Sequence, residues 1–196
     1  MKKIQIFLFS FALIALVGCK NETKKVEEVV EETEEKVEEV KEAVKEISSL
    51  AFALEAKSGS KAHGKAGISQ LDGKVTLEVK ITGLDAGTHA IHIHEKADCS
   101  SADGKSSGGH WNPTFQAHGK WGDATGYHKG DIGNFEVGED GVGRVSFITD
   151  EWCIGCGDEK KDVLGKAIVV HQGTDDFTSQ PSGAAGARVS CGGIIK

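Results

Sequence analysis

The chain has 196 residues with a net charge of −7, 38% hydrophobic and 6% aromatic content, 26 glycines, two prolines and five cysteines. That length holds one well-buried domain plus extra segments, and an excess of 30 acids over 23 bases argues against nucleic acid as a partner. The composition excludes a polytopic membrane protein and a wholly disordered chain, and abundant glycine with few aromatics points to turns rather than long helices.

The N-terminus reads as an export segment. Met1-Lys2-Lys3 gives a positive start, and the apolar run from Ile4 to Val17 is interrupted only by Gln5 and Ser10. A membrane span needs about 20 apolar residues, so this shorter run fits the core of a secretory signal. It ends in Leu16-Val17-Gly18-Cys19, which resembles the bacterial lipoprotein box, in which the cysteine is lipidated and becomes the new N-terminus. Residues 1–18 are therefore expected to be a lipoprotein signal peptide and Cys19 the membrane anchor; a plain signal peptide is the simpler alternative. Either places the folded part in the cell envelope (periplasm or cell surface), where disulfides persist.

Residues 19–48 read as a charged spacer. From Lys20 to Glu46 there are 11 acids and 6 bases, a local charge of −5. Val26, Val30, Thr33, Val37, Val40, Val44 and Ile47 recur at alternating spacings of four and three, the seam of a heptad helix. A short coiled coil joining protomers is one reading. A helical or disordered stalk is preferred, because valine is an indifferent helix former and charge this dense does not build a core.

From 49 to 196 the pattern turns to β. Leu50, Phe52 and Leu54 alternate in a first strand, and Val75–Thr82 alternates apolar and polar throughout. Asp72-Gly73 and Asp140-Gly141 are hairpin-turn signals; Phe135 and Val137 precede the second, and Val142, Val145 and Phe147 follow it. Ala167-Ile168-Val169-Val170 is a continuous apolar run suited to a strand buried on both faces. Between them lie long Gly/Ser/Asp-rich loops, 96–130 and 172–187, of a length uncommon unless the loops are functional. No ten-residue helical pattern occurs here, so an all-β antiparallel sandwich or barrel is expected.

The histidines carry the chemistry. His92 and His94 are two apart, so on a strand both project from one face. His110, His118, His128 and His171 follow, and Asp131 lies three residues after His128. Imidazole clusters suit zinc and copper, whereas carboxylate-dominated sets suit calcium or magnesium. Cys153-Ile154-Gly155-Cys156 is a CxxC pair that can be a redox site, a metal site or a local disulfide; in an exported chain without a thioredoxin-like βαβ setting the local disulfide is preferred.

Ala90-Ile91-His92-Ile93-His94-Glu95, Gly109-His110-Trp111-Asn112-Pro113, His128-Lys129-Gly130-Asp131-Ile132-Gly133-Asn134, Val169-Val170-His171 and Gly183-Ala184-Ala185-Gly186-Ala187-Arg188-Val189-Ser190-Cys191-Gly192 together resemble the signature segments of copper/zinc superoxide dismutase, in the family's order. The similarity covers essentially all of 50–195. The resemblance implies a Greek-key β-sandwich or flattened eight-stranded barrel with long metal-binding loops. It implies copper held by His92, His94, His110 and His171, and zinc by His110, His118, His128 and Asp131, with His110 bridging. Four nitrogens suit Cu(II), and three nitrogens with one carboxylate suit zinc.

By the same resemblance Asp175 links His92 to His118, and Arg188 sits beside the copper to attract superoxide. His89 matches a structural, non-ligand position, and His63 has no ligand partner. Cys99 and Cys191 match the family's disulfide, whereas Cys153 and Cys156 have no counterpart in it. The implied reaction is dismutation of superoxide to dioxygen and hydrogen peroxide by alternate reduction and reoxidation of copper, with His110 and Arg188 as the catalytic residues. Such an enzyme protects the cell envelope; a homodimer stays open. The loop from His171 to Arg188 lacks lysine, so Lys105, Lys120 and Lys129 are the candidates for steering an anion toward a domain of net charge −4. A non-catalytic copper-carrying lipoprotein on the same fold, and a surface protein working through its heptad segment, are the alternative functions.

Overall fold

Period-two alternation builds the sheet of the structure, a computed structural model that describes residues 48–196. The export segment, Cys19 and the spacer through residue 47 lie outside the described residues. Ser48, read above as the last spacer residue, is the first residue of a strand. The strands are β1 (Ser48–Ala56), β2 (His63–Leu71), β3 (Lys74–Thr82), β4 (Gly87–His94), β5 (Gly133–Val137), β6 (Val142–Thr149), β7 (Ala167–His171) and β8 (Arg188–Gly193). They close into an antiparallel barrel in the order β1-β2-β3-β6-β5-β4-β7-β8. The reversed middle of that order is the Greek-key crossover.

In β3, Val75, Leu77, Val79 and Ile81 are buried while Glu78 and Lys80 face water. Leu54, Ile68, Ile91, Ile93, Ile168 and Ile194 join them in one core, each such side chain worth about 1.5–3 kcal/mol of transfer free energy. Asp72 and Gly73 both have positive φ (52° and 75°), giving β2 and β3 the two-residue mirror-image turn that matches strand twist. At the second turn Gly141 N–H donates to Gly138 O at 2.9 Å. The helical content of the described residues is one 3-10 turn, Lys105–Ser107.

β4 and β7 position the site. Almost every residue in them is buried, although a barrel strand has one face turned outward. Ile91, Ile93, Ile168 and Val170 point into the core, whereas Ala167 and Val169 pack outward against Cys191 and Cys99. His92 pairs with Val169 and His94 with Ala167, so both histidines share that outer face. Loops cover it. Trp111 N–H donates to Ile93 O (2.8 Å), Ile93 N–H to Gly130 O (2.9 Å) and Gly130 N–H to Trp111 O (3.0 Å), pinning two stretches of the 95–132 loop to β4.

The Cys99–Cys191 disulfide ties this loop to β8 across a sequence separation of 92, and closing that much chain stabilises by about 4–5 kcal/mol in the entropic model. The Cys153–Cys156 pair forms a local disulfide. It lies in a third long loop, 150–166, which period-two reasoning does not single out. Trp152 buries this loop's base by packing on Trp121 and Phe147.

Candidate metal centre

Six imidazoles and one carboxylate converge on the outer face of β4. His92, His94, His110 and His171 each offer a nitrogen, all within 4.8 Å of one another, and all four residues are buried. His110, His118, His128 and Asp131 form a second buried group within the same limit. His92 and His94 come from β4 and His171 from the end of β7, beside a register irregularity that sets it opposite Arg188. The others come from the loop. His128 and Asp131 form a self-held turn: Asp131 N–H donates to His128 O at 3.0 Å, and His128 N–H donates to Asp131 Oδ2 at 2.8 Å.

Which nitrogen points inward is set by what holds the other. His92 Nε2 donates to Asp175 Oδ2 and His118 Nε2 to Asp175 Oδ1, both at 2.8 Å. His94 Nδ1 donates to Gly108 O (2.9 Å) and His171 Nδ1 to Gly186 O (3.4 Å). The free nitrogens of these rings turn into the clusters; His94 Nε2 and His171 Nε2 stand 3.3 Å apart. His92 Nδ1, His110 Nε2, His118 Nδ1 and His128 Nδ1 are buried without a hydrogen-bond partner. Buried nitrogens with nothing to bond are costly, and a cation is what this donor set fits. His110 stands apart: Nδ1 faces Asp131 Oδ1 at 2.9 Å in one cluster, while Nε2 belongs to the other. His118 Nδ1 and His128 Nδ1 lie 3.0 and 3.2 Å from the Asp131 oxygens, close enough for attraction but not aligned as hydrogen bonds.

Burial dominates the protonation of the first group. It holds His92 below its ordinary value and His94 and His171 well below it, and lowers His110 to about 4. His92, His94 and His171 are neutral at pH 7 with their one proton on the nitrogen turned away from the cluster, so they meet a metal with none to shed, whereas His110 gives up its Nδ1 proton if it serves both clusters. In the second group burial pulls His118 down, but Asp131 and Asp175 outweigh it and raise it to about 9. Burial likewise pushes Asp131 and Asp175 up, and the facing imidazoles override it, holding both carboxyls well below the usual range.

A profile of the copper/zinc superoxide dismutase family matches residues 62–194. The chain belongs to the copper/zinc superoxide dismutase family. It is 36% identical over 138 residues to a copper–zinc superoxide dismutase 1 of Aquifex aeolicus (strain VF5), covering 68% of this chain and 79% of that protein. It is 34% identical over 140 residues to the superoxide dismutase-like protein YojM of Bacillus subtilis (strain 168), covering 69% and 70%. Among solved structures, a SOD-like protein from Bacillus subtilis superposes with TM-score 0.65 at 32% identity, covering 74% of this chain and 97% of that one. The clock protein EA4 gives TM-score 0.63 at 34% identity, covering 75% and 94%. Membership in this dismutase family implies copper and zinc as the metals.

All seven residues read as metal ligands converge, and Asp175 bridges His92 and His118. Arg188 is half-buried against the loop, with Nη1 donating to Gly104 O (2.8 Å) and Ser107 Oγ (3.1 Å). Its charge bears on His94 and His171. His89 is buried away from both clusters, its ring nitrogens 2.9 Å from His171 O and from Asp85 O. His63 is exposed, with Nδ1 2.8 Å from Lys61 O. Lys129 is not available for steering: its ammonium pairs with Glu151 and lies 5.8 Å over the Tyr127 ring. Lys105 is exposed in the turn that holds Arg188, although Asp103 lies 3.3 Å from its ammonium.

Sequence reasoning missed two supports. Gln180 grips the peptide of His118, with Oε1 accepting from His118 N–H and Nε2 donating to His118 O, both at 2.9 Å. Gly183, at φ +66°, packs on Asp175 so closely that a Cβ would overlap its Oδ1 and sit 2.7 Å from His118 Nε2. Gly183 opens the last of the family-like segments and Gln180 lies three residues before it, but nothing in a linear pattern says what they touch.

Proposed function

We propose that this chain dismutates superoxide, converting two superoxide anions and two protons to dioxygen and hydrogen peroxide. The observation that carries the reading is His110, one buried ring offering a nitrogen to each of two adjacent donor clusters. Copper held by His92, His94, His110 and His171 would supply a one-electron couple, and zinc held by His110, His118, His128 and Asp131 a fixed charge without redox chemistry.

The chain's residues do the rest. Arg188 stays cationic and offers forked donors suited to a small anion; its guanidinium is fixed by Gly104 and Ser107 beside the first cluster. His110 Nε2 is the atom placed to hold and pass a proton, because Nδ1 is kept in the second cluster beside Asp131. Asp175 keeps Nε2 of His92 and His118 protonated and their Nδ1 atoms turned inward. The covering loops exclude bulk water from rings that are all nearly inaccessible.

The reading extends to location: an exported protein anchored to the membrane through lipid on Cys19, with residues 19–47 as the spacer between that anchor and the enzyme. Metal analysis of the purified protein with a superoxide-consumption assay before and after chelation tests the function. About one copper and one zinc per chain with rapid, chelator-sensitive consumption supports it. Both metals without turnover would establish instead the second reading, a copper carrier on the same fold. That alternative is kept because one relative is named dismutase-like rather than dismutase.

A further inference from the structure

The Cys153-Ile154-Gly155-Cys156 segment has no part in either histidine cluster, yet the 150–166 loop is organised around it. Cys153 is buried and Cys156 exposed. Asp162 lies between the two ends of the loop, and its carboxylate with the two sulfurs forms a third group of candidate ligand atoms within 4.8 Å of one another. Asp162 Oδ1 accepts from Gly155 N–H (2.9 Å) and Leu164 N–H (3.0 Å), and Oδ2 accepts from Gly157 N–H (2.9 Å). A carboxylate oxygen has room for two such partners, so Oδ2 keeps a lone pair. Cys156 Sγ already accepts from Asp158 N–H at 3.5 Å, a contact that favours its thiolate.

We propose that Cys153, Cys156 and Asp162 form a further metal site, closed while the disulfide is intact and opened to Zn2+ when a dithiol reduces it. In the oxidised protein the sulfurs bond each other and cannot ligate. A reductant thiolate reaches only the exposed Cys156 sulfur. Attack there forms a mixed disulfide and breaks the S–S bond, and the electron pair leaves on Cys153 Sγ, which takes a proton. The reductant's second thiolate then attacks its own sulfur in the mixed disulfide and releases Cys156, leaving an oxidised reductant and two protein thiols. Zinc displaces the two thiol protons. Two thiolates and a carboxylate suit this cation, with the fourth tetrahedral position left to water.

The surroundings agree. Asp162 borders an open trough of about 590 Å3, also lined by Trp111, Phe115, Gly157 and Leu164, that gives a cation a path in. Three anionic ligands around a divalent ion leave one negative charge. Lys160, Lys166 and one further anion, Glu159, line the same trough, and the Lys196 ammonium lies beside Gly155, so the cations outnumber Glu159 and offset that charge. The assignment is independent of whether the chain turns over superoxide.

The test uses protein already loaded with copper and zinc, treated with a mild dithiol and then freed of it under anaerobic conditions. Alkylation and mass mapping should show Cys153 and Cys156 free, with Cys99 and the buried Cys191 still joined. Titrated Co2+ should then bind one further equivalent with thiolate-to-cobalt charge-transfer absorption, and Zn2+ should abolish the band. The oxidised protein and a Cys153→Ser/Cys156→Ser variant should show no band. Asp162→Asn, which keeps an acceptor for the loop amides, should weaken binding at least about tenfold. A Cys153–Cys156 disulfide that stays closed would overturn the proposal. So would free thiols that bind no Co2+, a band surviving in the double-serine variant, or unchanged affinity in Asp162→Asn.

Discussion

Asp175 holds one imidazole of each cluster, and its replacement by asparagine separates geometry from charge. Its backbone stays pinned, because Asp175 N–H donates to Asn134 Oδ1 (2.8 Å) and Asn134 Nδ2 donates to Asp175 O (2.9 Å). The side chain of Asp175→Asn therefore stays where the carboxylate was, but with one acceptor oxygen and one donor amide. Both His92 Nε2 and His118 Nε2 now find an acceptor at 2.8 Å; after the change, one of them faces an N–H. That ring must rotate or move its proton to Nδ1, the atom turned toward the metal cluster. The effect falls harder on the second cluster, where His118 is one of three rings and the fourth donor is a carboxylate, than on the first, where His92 is one of four rings. Loss of such an outer partner costs about 10–100-fold in metal affinity, or about 1.4–2.7 kcal/mol. Chelator competition on the folded variant should show zinc affinity reduced by that factor, and copper affinity reduced less because three of its four rings keep their supports. Unchanged affinity for both metals would refute the claim that this carboxylate orients the ligands.

Gly183→Ala should reproduce much of that loss without removing a charged group, since its Cβ would displace the Asp175 carboxylate and φ +66° adds strain, about 1–2 kcal/mol for a left-handed non-glycine residue. Zinc affinity and melting temperature should both fall, and a variant with normal zinc binding would show that the close packing is not needed. Gln180→Ala removes both hydrogen bonds to the His118 peptide, at about 0.5–1.5 kcal/mol each; faster amide exchange at His118 with a several-fold weaker zinc site is expected, and unaltered exchange would count against the clamp. The metal-free protein should be most stable near pH 6.5. As pH falls from about 9, the raised His118 takes up a proton in the folded state first, which stabilises it down to the ordinary histidine value of 6.5. Below 6.5 the unfolded chain protonates His92, His94, His110 and His171 before the folded one does, so stability falls, for His110 down to about 4. Denaturant melts across pH 4–10 check this, and a monotonic profile would contradict the opposed shifts.

Much of the barrel was legible because alternation is local. Val75–Thr82 has period two whatever surrounds it, and Asp72-Gly73 accepts positive φ at both positions, so β3 and its turn follow from short stretches. The apolar run Ala167–Val170 also read correctly as buried on both faces, though not why: the outer face is covered by the Cys99–Cys191 loop. Lys129 shows where local reading fails. As a lysine of the 96–130 loop it was a steering candidate, but Glu151, 22 residues on, neutralises it. In the 150–166 loop the CxxC pair was legible but the roles of Trp152 and Asp162 were not, since both act through partners that no spacing reveals.

The sequence by itself determined the donor inventory, the strand period and the pairing chemistry of the turns, all properties of residue type and near neighbours. Only the tertiary structure decided which nitrogen of each ring faces a metal, because that depends on what holds the opposite nitrogen. For His92 and His118 the holder is Asp175, 83 and 57 residues away. For His94 and His171 it is a backbone carbonyl from a covering loop. His110 shows the difference most simply. Its identity is written in the chain, but its two inward nitrogens exist only because a loop lays it between two clusters assembled from β4, the end of β7 and a turn at residues 128–131.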